Sequence, residues 1–520
     1  MTTLERSSTD VGIGRWNIAA RLLADKSPTA IAFLTPDRCI TYGDLDKSVR
    51  QTASALVAVG IAAGDRVLLL LDDDLELVVL FLASLAIGAI PAILSPRQDE
   101  KNLVSIMDGS RPRAIFIGTG DETRMHVATK AAGLASAIIV IERFVGMTNP
   151  IGFPGAGADP TWSDFVEKDP EALSFLQYTS GSSGEPKGVM HASRAALEGC
   201  RMIGEALFGM DSNDIIYATS KTFFGFGQGA SILFPLYAGA SAILDPRWAQ
   251  PHLVVENIKR FRPTMVFAVP SLYRRLLTEE RSLFESARAV VASGASLPHH
   301  LKAAFEQRFG SRLYEGYGST ELFHLSAADY PESTPEGSLG RVLPDIQVEI
   351  RDAAGNPVEA GEIGELHVHS PARSIGYLGR DDLTAERFDH GWFATGDLFS
   401  RDECGFLYFK GRSDDRFKVY GRWVSPFEIE SLVKHSCPNL VEAIVVPASE
   451  ADGEIRPVLF TVEGKTDGIA IDTPYNIIAK RLERYKRPIL HLQIAELPTN
   501  NNGKLCRQTL MAVAREALAN

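Results

Sequence analysis

The chain has 520 residues, of which 45% are hydrophobic and 23% are charged, as in an ordinary soluble globular protein. This length exceeds what one hydrophobic core usually serves, so we expect at least two domains. The 53 basic and 65 acidic residues give a net charge of −12, which argues against a nucleic-acid partner because nucleic acids are bound through basic surfaces.

The first candidate element that needs interpretation is the uncharged, mostly apolar run Leu77–Leu94. It is long enough to be taken for a membrane span. Gly88 and Pro91 interrupt it, so we predict a buried helix ending near Gly88, then a buried strand, and no membrane partner. The first ten residues carry charges and no apolar core, which predicts that no signal peptide is present.

Through the first 300 residues, short apolar segments alternate with longer amphipathic ones, which predicts βαβ units and parallel sheets. The predicted strands are Arg66–Leu71, Ala114–Ile117, Ala137–Ile141, Met265–Val269 and Ala289–Ala292. The amphipathic stretches Asp44–Val59 and Leu297–Phe309 are predicted helices.

The pattern changes from Gly337 to Phe409, where short alternating strands lie between Gly-, Asn- and Asp-rich turns, as in a small β-rich subdomain. These predicted strands are Gln347–Ile350, Gly364–His369 and Phe406–Phe409. We predict a domain boundary at Asp414, with 1–413 as the N-terminal domain and 414–520 as a small α+β lid; a mere surface turn is the alternative. In the lid we predict helices Pro426–Lys434 and Tyr475–Arg484 and strands Glu442–Pro447 and Pro457–Thr461.

The run Tyr178–Gly188 reads YTSGSSGEPKG and places hydroxyls, three glycines and a lysine in eleven residues. Glycines let backbone N–H groups approach an anion, hydroxyls add donors and lysine adds a charge, so the run predicts a phosphate-binding loop. It is not the P-loop of phosphoryl-transfer enzymes, because Lys187 is followed by Gly188 rather than Ser or Thr. A flexible Ser/Gly loop is the alternative.

Four further motifs lie far apart in the chain: Tyr317-Gly318-Ser319-Thr320-Glu321, Thr395-Gly396-Asp397, Gly411-Arg412-Ser413-Asp414-Asp415 and the segment Pro498–Lys504. A carboxylate beside a phosphate loop makes sense mainly through Mg²⁺, which takes oxygen ligands from carboxylates and phosphates. Asp397 suits a ribose diol. Taken alone, Asp397 is equally a turn residue and Lys504 equally part of a solvated tail.

Together and in this order, the motifs resemble the adenylate-forming superfamily, which includes acyl- and aryl-CoA ligases, stand-alone adenylation domains and firefly-type luciferases. The resemblance extends from Ile40-Thr41-Tyr42 through Tyr485-Lys486-Arg487-Pro488 to Lys504. It implies an α/β fold: a large N-terminal domain of βαβ-layered sheets plus a β subdomain, and a small mobile C-terminal domain. It also implies ATP, Mg²⁺ and coenzyme A as cofactors.

The resemblance also implies a role for each motif. The residues implied to bind the ATP phosphates are Thr179, Ser180, Gly181, Ser182, Ser183, Gly184 and Lys187. Those implied to lie around the adenine are Ser293, Gly294, Ala295, Tyr317 and Gly318. Those implied to act on the α-phosphate, the metal and the ribose are Thr320 (α-phosphate), Glu321 with Thr179 (Mg²⁺), and Asp397 with Arg412 (ribose). Lys504 is implied to bridge the substrate carboxylate and the α-phosphate, Asp414 to be the hinge, and Gly421 to lie near the pantetheine arm of CoA.

The segment Lys221–Gly229, which reads KTFFGFGQG, resembles the corresponding stretch of benzoate:CoA ligases, as do His324 and Val424–Glu430. Phe224, Gly225 and Phe226 would form a flat apolar slot; ordinary core packing is the alternative. Gly225 and Phe226 stand where benzoate ligases commonly have Ala and Tyr, which favours a substituted benzoate such as an amino-, hydroxy- or methylbenzoate. His324 is either a partner for a ring substituent or a packing residue.

The leading prediction is therefore an aryl-CoA ligase that acts on a small aromatic carboxylate. An enzyme that loads a carrier protein and a non-catalytic nucleotide-binding relative are the alternatives; the presence of Lys187, Glu321, Asp397 and Lys504 argues against the latter. Five cysteines without C-x-x-C spacing predict neither a zinc site nor disulfides and favour a cytoplasmic location. A homodimer is left open.

Overall fold

The computed structural model describes residues 14–133, 137–141, 164–180, 185–330, 334–437, 440–449, 453–463, 474–498 and 505–519. The predicted site residues Gly181, Ser182, Ser183, Gly184 and Lys504 lie outside these ranges.

The strands are numbered in chain order. They are β1 (Ile31–Leu34), β2 (Cys39–Thr41), β3 (Arg66–Leu70), β4 (Ile90–Ile93), β5 (Ala114–Gly118), β6 (Ala137–Ile141), β7 (Leu173–Ser180), β8 (Pro186–Ala192), β9 (Ile215–Ala218), β10 (Ser241–Ile243), β11 (Met265–Ala268), β12 (Ala289–Ala292), β13 (Leu313–Gly318), β14 (Leu325–Ala328), β15 (Arg341–Val342), β16 (Gln347–Arg351), β17 (Gly364–His369), β18 (Gly376–Tyr377), β19 (Phe388–Asp389), β20 (Trp392–Arg401), β21 (Leu407–Arg412), β22 (Phe417–Val419), β23 (Arg422–Val424), β24 (Leu440–Ser449), β25 (Ile455–Glu463) and β26 (Leu490–Gln493).

The α-helices are numbered in the same way. They are α1 (Ile18–Leu23), α2 (Tyr42–Ala58), α3 (Leu75–Ala86), α4 (Glu100–Ser110), α5 (Glu122–Ala131), α6 (Ser193–Gly199), α7 (Gly225–Gln228), α8 (Phe234–Ala238), α9 (Pro251–Phe261), α10 (Pro270–Leu276), α11 (His299–Phe309), α12 (Asp381–Arg387), α13 (Pro426–Ser436), α14 (Pro474–Arg481) and α15 (Arg507–Ala519). Two π-helical segments, Cys200–Leu207 and Gly229–Leu233, continue α6 and α7, and two short 3₁₀ segments span Thr320–Leu322 and Arg484–Lys486.

Two large sheets are built mainly from the first 330 residues, and β15 and β18 add to them from later in the chain. One has seven strands in the order β18-β8-β7-β4-β3-β5-β6, and the other has nine in the order β15-β14-β13-β12-β11-β9-β10-β1-β2. Their central strands are parallel, whereas β8, β18, β2, β14 and β15 pair antiparallel to their neighbours. Buried parallel strands explain the near-continuous apolar runs in the sequence.

The core lies between the two sheets and on their outer faces. Along β3, Val67 and Leu69 join the shared central cluster, whereas Leu68 and Leu70 face an outer cluster with α4 and α5. This alternation follows from the two-residue period of a strand. Every residue of α3 is buried, because this helix lies in the shared core. Among the described residues, no helix is long and apolar enough to cross a membrane.

The later part of the chain forms smaller antiparallel structures. Strands β16, β17, β19, β20 and β21 make one five-stranded sheet, and β22 and β23 form a hairpin. Beyond this hairpin, the three-stranded sheet β24-β25-β26 packs against α13 and α14 on one face and α15 on the other. This region therefore has hydrophobic clusters of its own. Its position as a separate domain that begins at Asp414 stays a prediction.

Most predicted elements are present, with small differences at their ends. Strands β6, β12 and β17 have the predicted bounds. The predicted helix Tyr475–Arg484 instead ends at Arg481, because Arg484–Lys486 turns into a 3₁₀ segment. The strand predicted at Phe406–Phe409 begins one residue later and continues to Arg412, since it pairs with the long strand β20.

Candidate active site

The predicted site residues lie where several parallel strands end. Strands β7, β9, β12 and β13 end at Ser180, Ala218, Ala292 and Gly318, and the predicted motifs begin within three residues of those strand ends. Open α/β sheets bind their ligands beyond the carboxyl ends of the strands. The topology thus brings together motifs that are separated by more than a hundred residues in the sequence.

Glu321 is held by a tyrosine that the sequence reasoning did not single out. The Tyr377 hydroxyl donates to Glu321 Oε1 at 2.8 Å, and the Ser374 N–H donates to the Glu321 backbone oxygen at 2.8 Å. Lys187 Nζ lies 5.8 Å from the centroid of the Tyr377 ring. Burial, and then the Glu321 charge, raises the pKa of Tyr377, so its hydroxyl stays protonated and acts as the donor.

A second polar cluster joins β13 to the antiparallel pair β20 and β21. The Tyr317 hydroxyl donates to Asp397 Oδ2 at 2.6 Å, and Arg412 Nη1 lies 3.0 Å from Asp397 Oδ1. Asp397 and Arg412 are direct partners in the register of β20 and β21. Burial raises the pKa of Asp397, while Arg412 and the Tyr317 hydrogen bond oppose this shift. The carboxylate is therefore oriented by Arg412, its partner in the β20–β21 pair, and by Tyr317, which reaches it from the end of β13.

The aromatic side chains of the predicted slot surround α7. Phe223 and Phe224 are in contact, with ring centroids 4.5 Å apart, and the Phe226 ring stacks on His324 at 5.0 Å. A Cβ atom on Gly225 would lie 3.6 Å from Thr320 Oγ1. The slot therefore adjoins the Thr320–Glu321 segment directly.

His324 is buried against aromatic rings of the predicted slot. Its ring packs edge-on against Phe234 at 4.8 Å, and its Nε2 lies 3.1 Å from the Phe226 carbonyl oxygen. Burial lowers the pKa of His324 to about 4, so the ring is neutral near pH 7. A carbonyl oxygen only accepts, so Nε2 carries the proton and Nδ1 is an acceptor. Nδ1 is buried and has no hydrogen-bond partner among the described residues.

A tight backbone turn joins the Glu321 segment to His324. Phe323 has φ +71° and ψ −51°, and the His324 N–H donates to the Leu322 oxygen at 2.9 Å, which makes a classic γ-turn. A Cβ on Gly318 would lie 1.8 Å from the His324 backbone oxygen, so only glycine fits where the chain returns.

The sequence model of the AMP-binding enzyme family matches residues 21–378. The chain belongs to this family. It is 35% identical over 491 residues to an anthranilate–CoA ligase of Pseudomonas aeruginosa, covering 92% of this chain and 91% of the relative. It is 32% identical to a 3-hydroxybenzoate–CoA/4-hydroxybenzoate–CoA ligase of Thauera aromatica, covering 96% of this chain and 97% of the relative.

Solved structures of AMP-binding enzymes agree with this assignment. The anthranilate CoA ligase AuaEII in complex with anthranoyl-AMP superposes with a TM-score of 0.87 at 28% identity, covering 97% of this chain and 98% of that one. A benzoate CoA ligase from Burkholderia xenovorans LB400 superposes with a TM-score of 0.85 at 26% identity, covering 95% of this chain and all of that one. The predicted superfamily and α/β fold are confirmed.

Three further predicted residues of this AMP-binding enzyme, Ser293, Gly294 and Asp414, lie just after strands β12 and β21. Ser293 and Gly294 follow β12, where Ser293 is buried and Gly294 has φ +84°. Asp414 Oδ2 lies 3.9 Å from Arg412 Nη2. The structure does not bring Gly421 to the cluster of Tyr317, Asp397 and Arg412. Gly421 lies at the tip of the β22–β23 hairpin, and a Cβ atom there would meet no other atom within 4 Å. The adjacent Tyr420 is 63% exposed.

Proposed function

We propose that this protein is an ATP-dependent aryl-CoA ligase that activates a benzoate-type acid as an acyl-adenylate and then transfers the aroyl group to CoA. The observation that carries the proposal is the contact between an aromatic slot and the Thr320–Glu321 segment at one end of the parallel strands. The anthranilate–CoA and hydroxybenzoate–CoA ligases among its relatives support the same class, an AMP-forming acid–thiol ligase.

In the first half-reaction the substrate carboxylate attacks the α-phosphate and pyrophosphate leaves. The protein positions the reactants and offsets the charge that builds on the α-phosphate. We assign Thr320 and Lys504 to this charge, and Asp397 with Arg412 to the ribose. The buried carboxylate of Asp397 is oriented by the Tyr317 hydroxyl at 2.6 Å and is suited to accept hydrogen bonds from the two ribose hydroxyls.

We assign Mg²⁺ to Glu321 and Thr179 together with the nucleotide phosphates. Among the described residues there is no group of three or more His, Cys, Asp and Glu side chains that could hold a metal ion. One protein carboxylate fits this ion, because Mg²⁺ commonly uses one or two carboxylates plus substrate phosphates. When bound, it would neutralise charge on the phosphates. Tyr377 would orient the carboxylate of Glu321 toward it.

In the second half-reaction a thiol displaces AMP. We propose that residues 414–520 form a lid that turns about Asp414, so that the β22–β23 hairpin with Gly421 replaces Lys504 at the site. The separate hydrophobic clusters around β24, β25 and β26 support independent motion of this region. The exposed tip of the hairpin supports a role in a different lid orientation.

The experiment that tests this function separates the two half-reactions. Pyrophosphate release is measured with benzoate, 2-aminobenzoate, hydroxybenzoates, cinnamate and octanoate, and the product is analysed with free CoA and with a phosphopantetheinylated carrier protein. We expect aromatic acids to be activated and CoA thioesters to form. Better activation of octanoate than of any aromatic acid contradicts the aryl assignment, and transfer to the carrier alone supports the carrier-loading alternative.

A further inference from the structure

Two buried glutamines meet beside the aromatic slot, and each has one unused polar atom. Gln177 lies on β7 and is 3% exposed, and Gln228 ends α7 and is 1% exposed. Gln177 Nε2 donates to Gln228 Oε1 at 2.5 Å. Gln177 Oε1 and Gln228 Nε2 are buried and have no hydrogen-bond partner among the residues that the structure describes.

In this orientation the pairing leaves one acceptor atom, Gln177 Oε1, and one donor atom, Gln228 Nε2, without a partner among the described residues. Burying an amide group without a partner destabilises a protein, because the group gives up its hydrogen bonds to water. A bound ligand that supplies the missing hydrogen-bond partner would offset this cost and would explain why the protein keeps the unpaired amide atoms.

The unused atom of Gln177 borders the space in front of Gly225. A Cβ atom on Gly225 would lie 3.2 Å from Gln177 Oε1, 3.5 Å from the Phe323 backbone oxygen and 3.6 Å from Thr320 Oγ1. All three nearest atoms are oxygens. An apolar substituent placed there would cover acceptors without satisfying them, whereas an N–H or O–H group would donate to them.

We propose that the Gln177–Gln228 amide pair reads a hydrogen-bond-donating substituent, an amino or hydroxyl group, on the ring position next to the substrate carboxylate. This inference rests on the proposed function, which places the reacting carboxylate beside Thr320. A substituent that reaches both Gln177 and Thr320 must be close to that carboxylate, hence ortho to it. Gln177 and Gln228 are then specificity-determining residues for the same site.

The amide pair also explains why the slot needs glycine at position 225. The absence of a side chain brings the substituent within reach of the amide rather than simply enlarging an apolar cavity. This changes the expectation for methylbenzoates: a methyl group of similar volume fits the space but donates no hydrogen bond, so Gln177 Oε1 stays without a partner. The selected feature is the donor, not the size of the substituent.

The first test uses the unaltered protein and adenylation of three acids: benzoate, 2-aminobenzoate and 2-methylbenzoate. We expect kcat/KM for pyrophosphate release to be about 10-fold or more higher for 2-aminobenzoate than for 2-methylbenzoate, the effect of one hydrogen bond to an otherwise unpaired buried group. Equal values for the two acids overturn the inference while leaving the proposed function intact. Failure to activate any of the three acids contradicts the proposed function itself.

The second test replaces both amides by a side chain of similar length in the double variant Gln177→Met and Gln228→Met. We expect the preference for 2-aminobenzoate over 2-methylbenzoate, measured as the ratio of their kcat/KM values, to fall by about 10-fold. An unchanged preference overturns the inference, as does a loss that is equal for all three acids. Gln51→Met is the matched control, since Gln51 has an unpartnered buried oxygen on α2, which packs on α3, β1 and β2; we expect it to leave the preference unchanged.

Discussion

The hydrogen bond from Tyr377 to Glu321 gives the sharpest prediction about the phosphate side of the site. Tyr377→Phe removes a hydroxyl that donates to the carboxylate at 2.8 Å and leaves the ring in place. Residues that orient a metal-binding side chain typically contribute 10- to 100-fold to metal affinity. The lower end of this 10- to 100-fold range agrees with the free energy of a hydrogen bond to a charged group, about 1.5 kcal/mol or roughly a factor of 10 in affinity. We therefore expect the half-saturating Mg²⁺ concentration for pyrophosphate release to rise by about 10- to 100-fold.

The assay is a Mg²⁺ titration at saturating ATP and aromatic acid, with the free metal concentration buffered. Tyr273→Phe is the matched control, because Tyr273 is buried like Tyr377 and its hydroxyl lies 3.1 and 3.0 Å from the Val266 and Val291 backbone oxygens, to which it donates. It lies in the cluster around α10 and α11, and we expect it to lower stability without changing the Mg²⁺ dependence. The same half-saturating concentration for Tyr377→Phe, Tyr273→Phe and the unaltered protein refutes the orienting role.

The other predictions concern the remaining parts of the site. Lys504→Ala is expected to slow adenylation by about 100-fold or more and to spare thioester formation from a pre-made aroyl-adenylate, and an equal loss in both assays contradicts the two-orientation lid. Arg412→Gln removes the cation 3.0 Å from Asp397, so the pKa of this carboxyl rises further. As the pH is lowered, the KM for ATP should therefore begin to increase at a higher pH than in the unaltered protein. Identical pH profiles of the KM for ATP would show that Asp397 does not take part in ATP binding. Gly225→Ala should lower kcat/KM for ortho-substituted benzoates more than for benzoate, by a factor that corresponds to about 1–3 kcal/mol of activation free energy. An equal loss of kcat/KM for all the acids would indicate that the backbone requires glycine at this position. Asp414→Pro should preserve one half-reaction and abolish the other, because proline fixes φ and would hold the lid in one orientation. Unaltered overall turnover would show that the lid does not turn about Asp414.

Much of the fold follows from local sequence patterns. Strands such as Ala289–Ala292 are short apolar runs between amphipathic stretches, and buried parallel strands leave this pattern clearly in the sequence. The helix α3 was also predictable, because Gly88 follows its last turn and lies between it and β4, which contains Pro91. The ends of elements were predicted less accurately where strand pairing determines them. Strand β21 continues to Arg412 because residues of β20 pair with it up to that position.

The site was predictable to the extent that its residues lie in local motifs. Glu321 and Asp397 could be singled out because each lies beside glycines and hydroxyl side chains. Tyr377 could not, because its place beside Glu321 depends on the pairing of β18 with β8, whose register joins Tyr377 to Val189. No spacing in the sequence predicts that contact.

The aromatic slot shows the same limit. The sequence offered two roles for His324, and the packing of its ring on Phe226 and Phe234 is visible only in three dimensions. The meeting of Gln177 and Gln228 across 51 positions was missed altogether. Gln228 lies within Lys221–Gly229 and Gln177 directly precedes Tyr178–Gly188, but nothing in the sequence pairs the two glutamines. The pair becomes informative through burial and unused hydrogen-bonding atoms.

The central claim is that the aromatic slot and the phosphate-side residues serve one reaction, the activation of a benzoate-type acid and its transfer to CoA. The most direct measurement is mass-spectrometric detection of aroyl-CoA, with AMP and pyrophosphate quantified in the same reaction of protein, ATP, Mg²⁺, CoA and 2-aminobenzoate. The account predicts aroyl-CoA, AMP and pyrophosphate in equal amounts. Release of ADP, or hydrolysis of ATP without any aroyl-adenylate or aroyl-CoA from any benzoate tested, would contradict it.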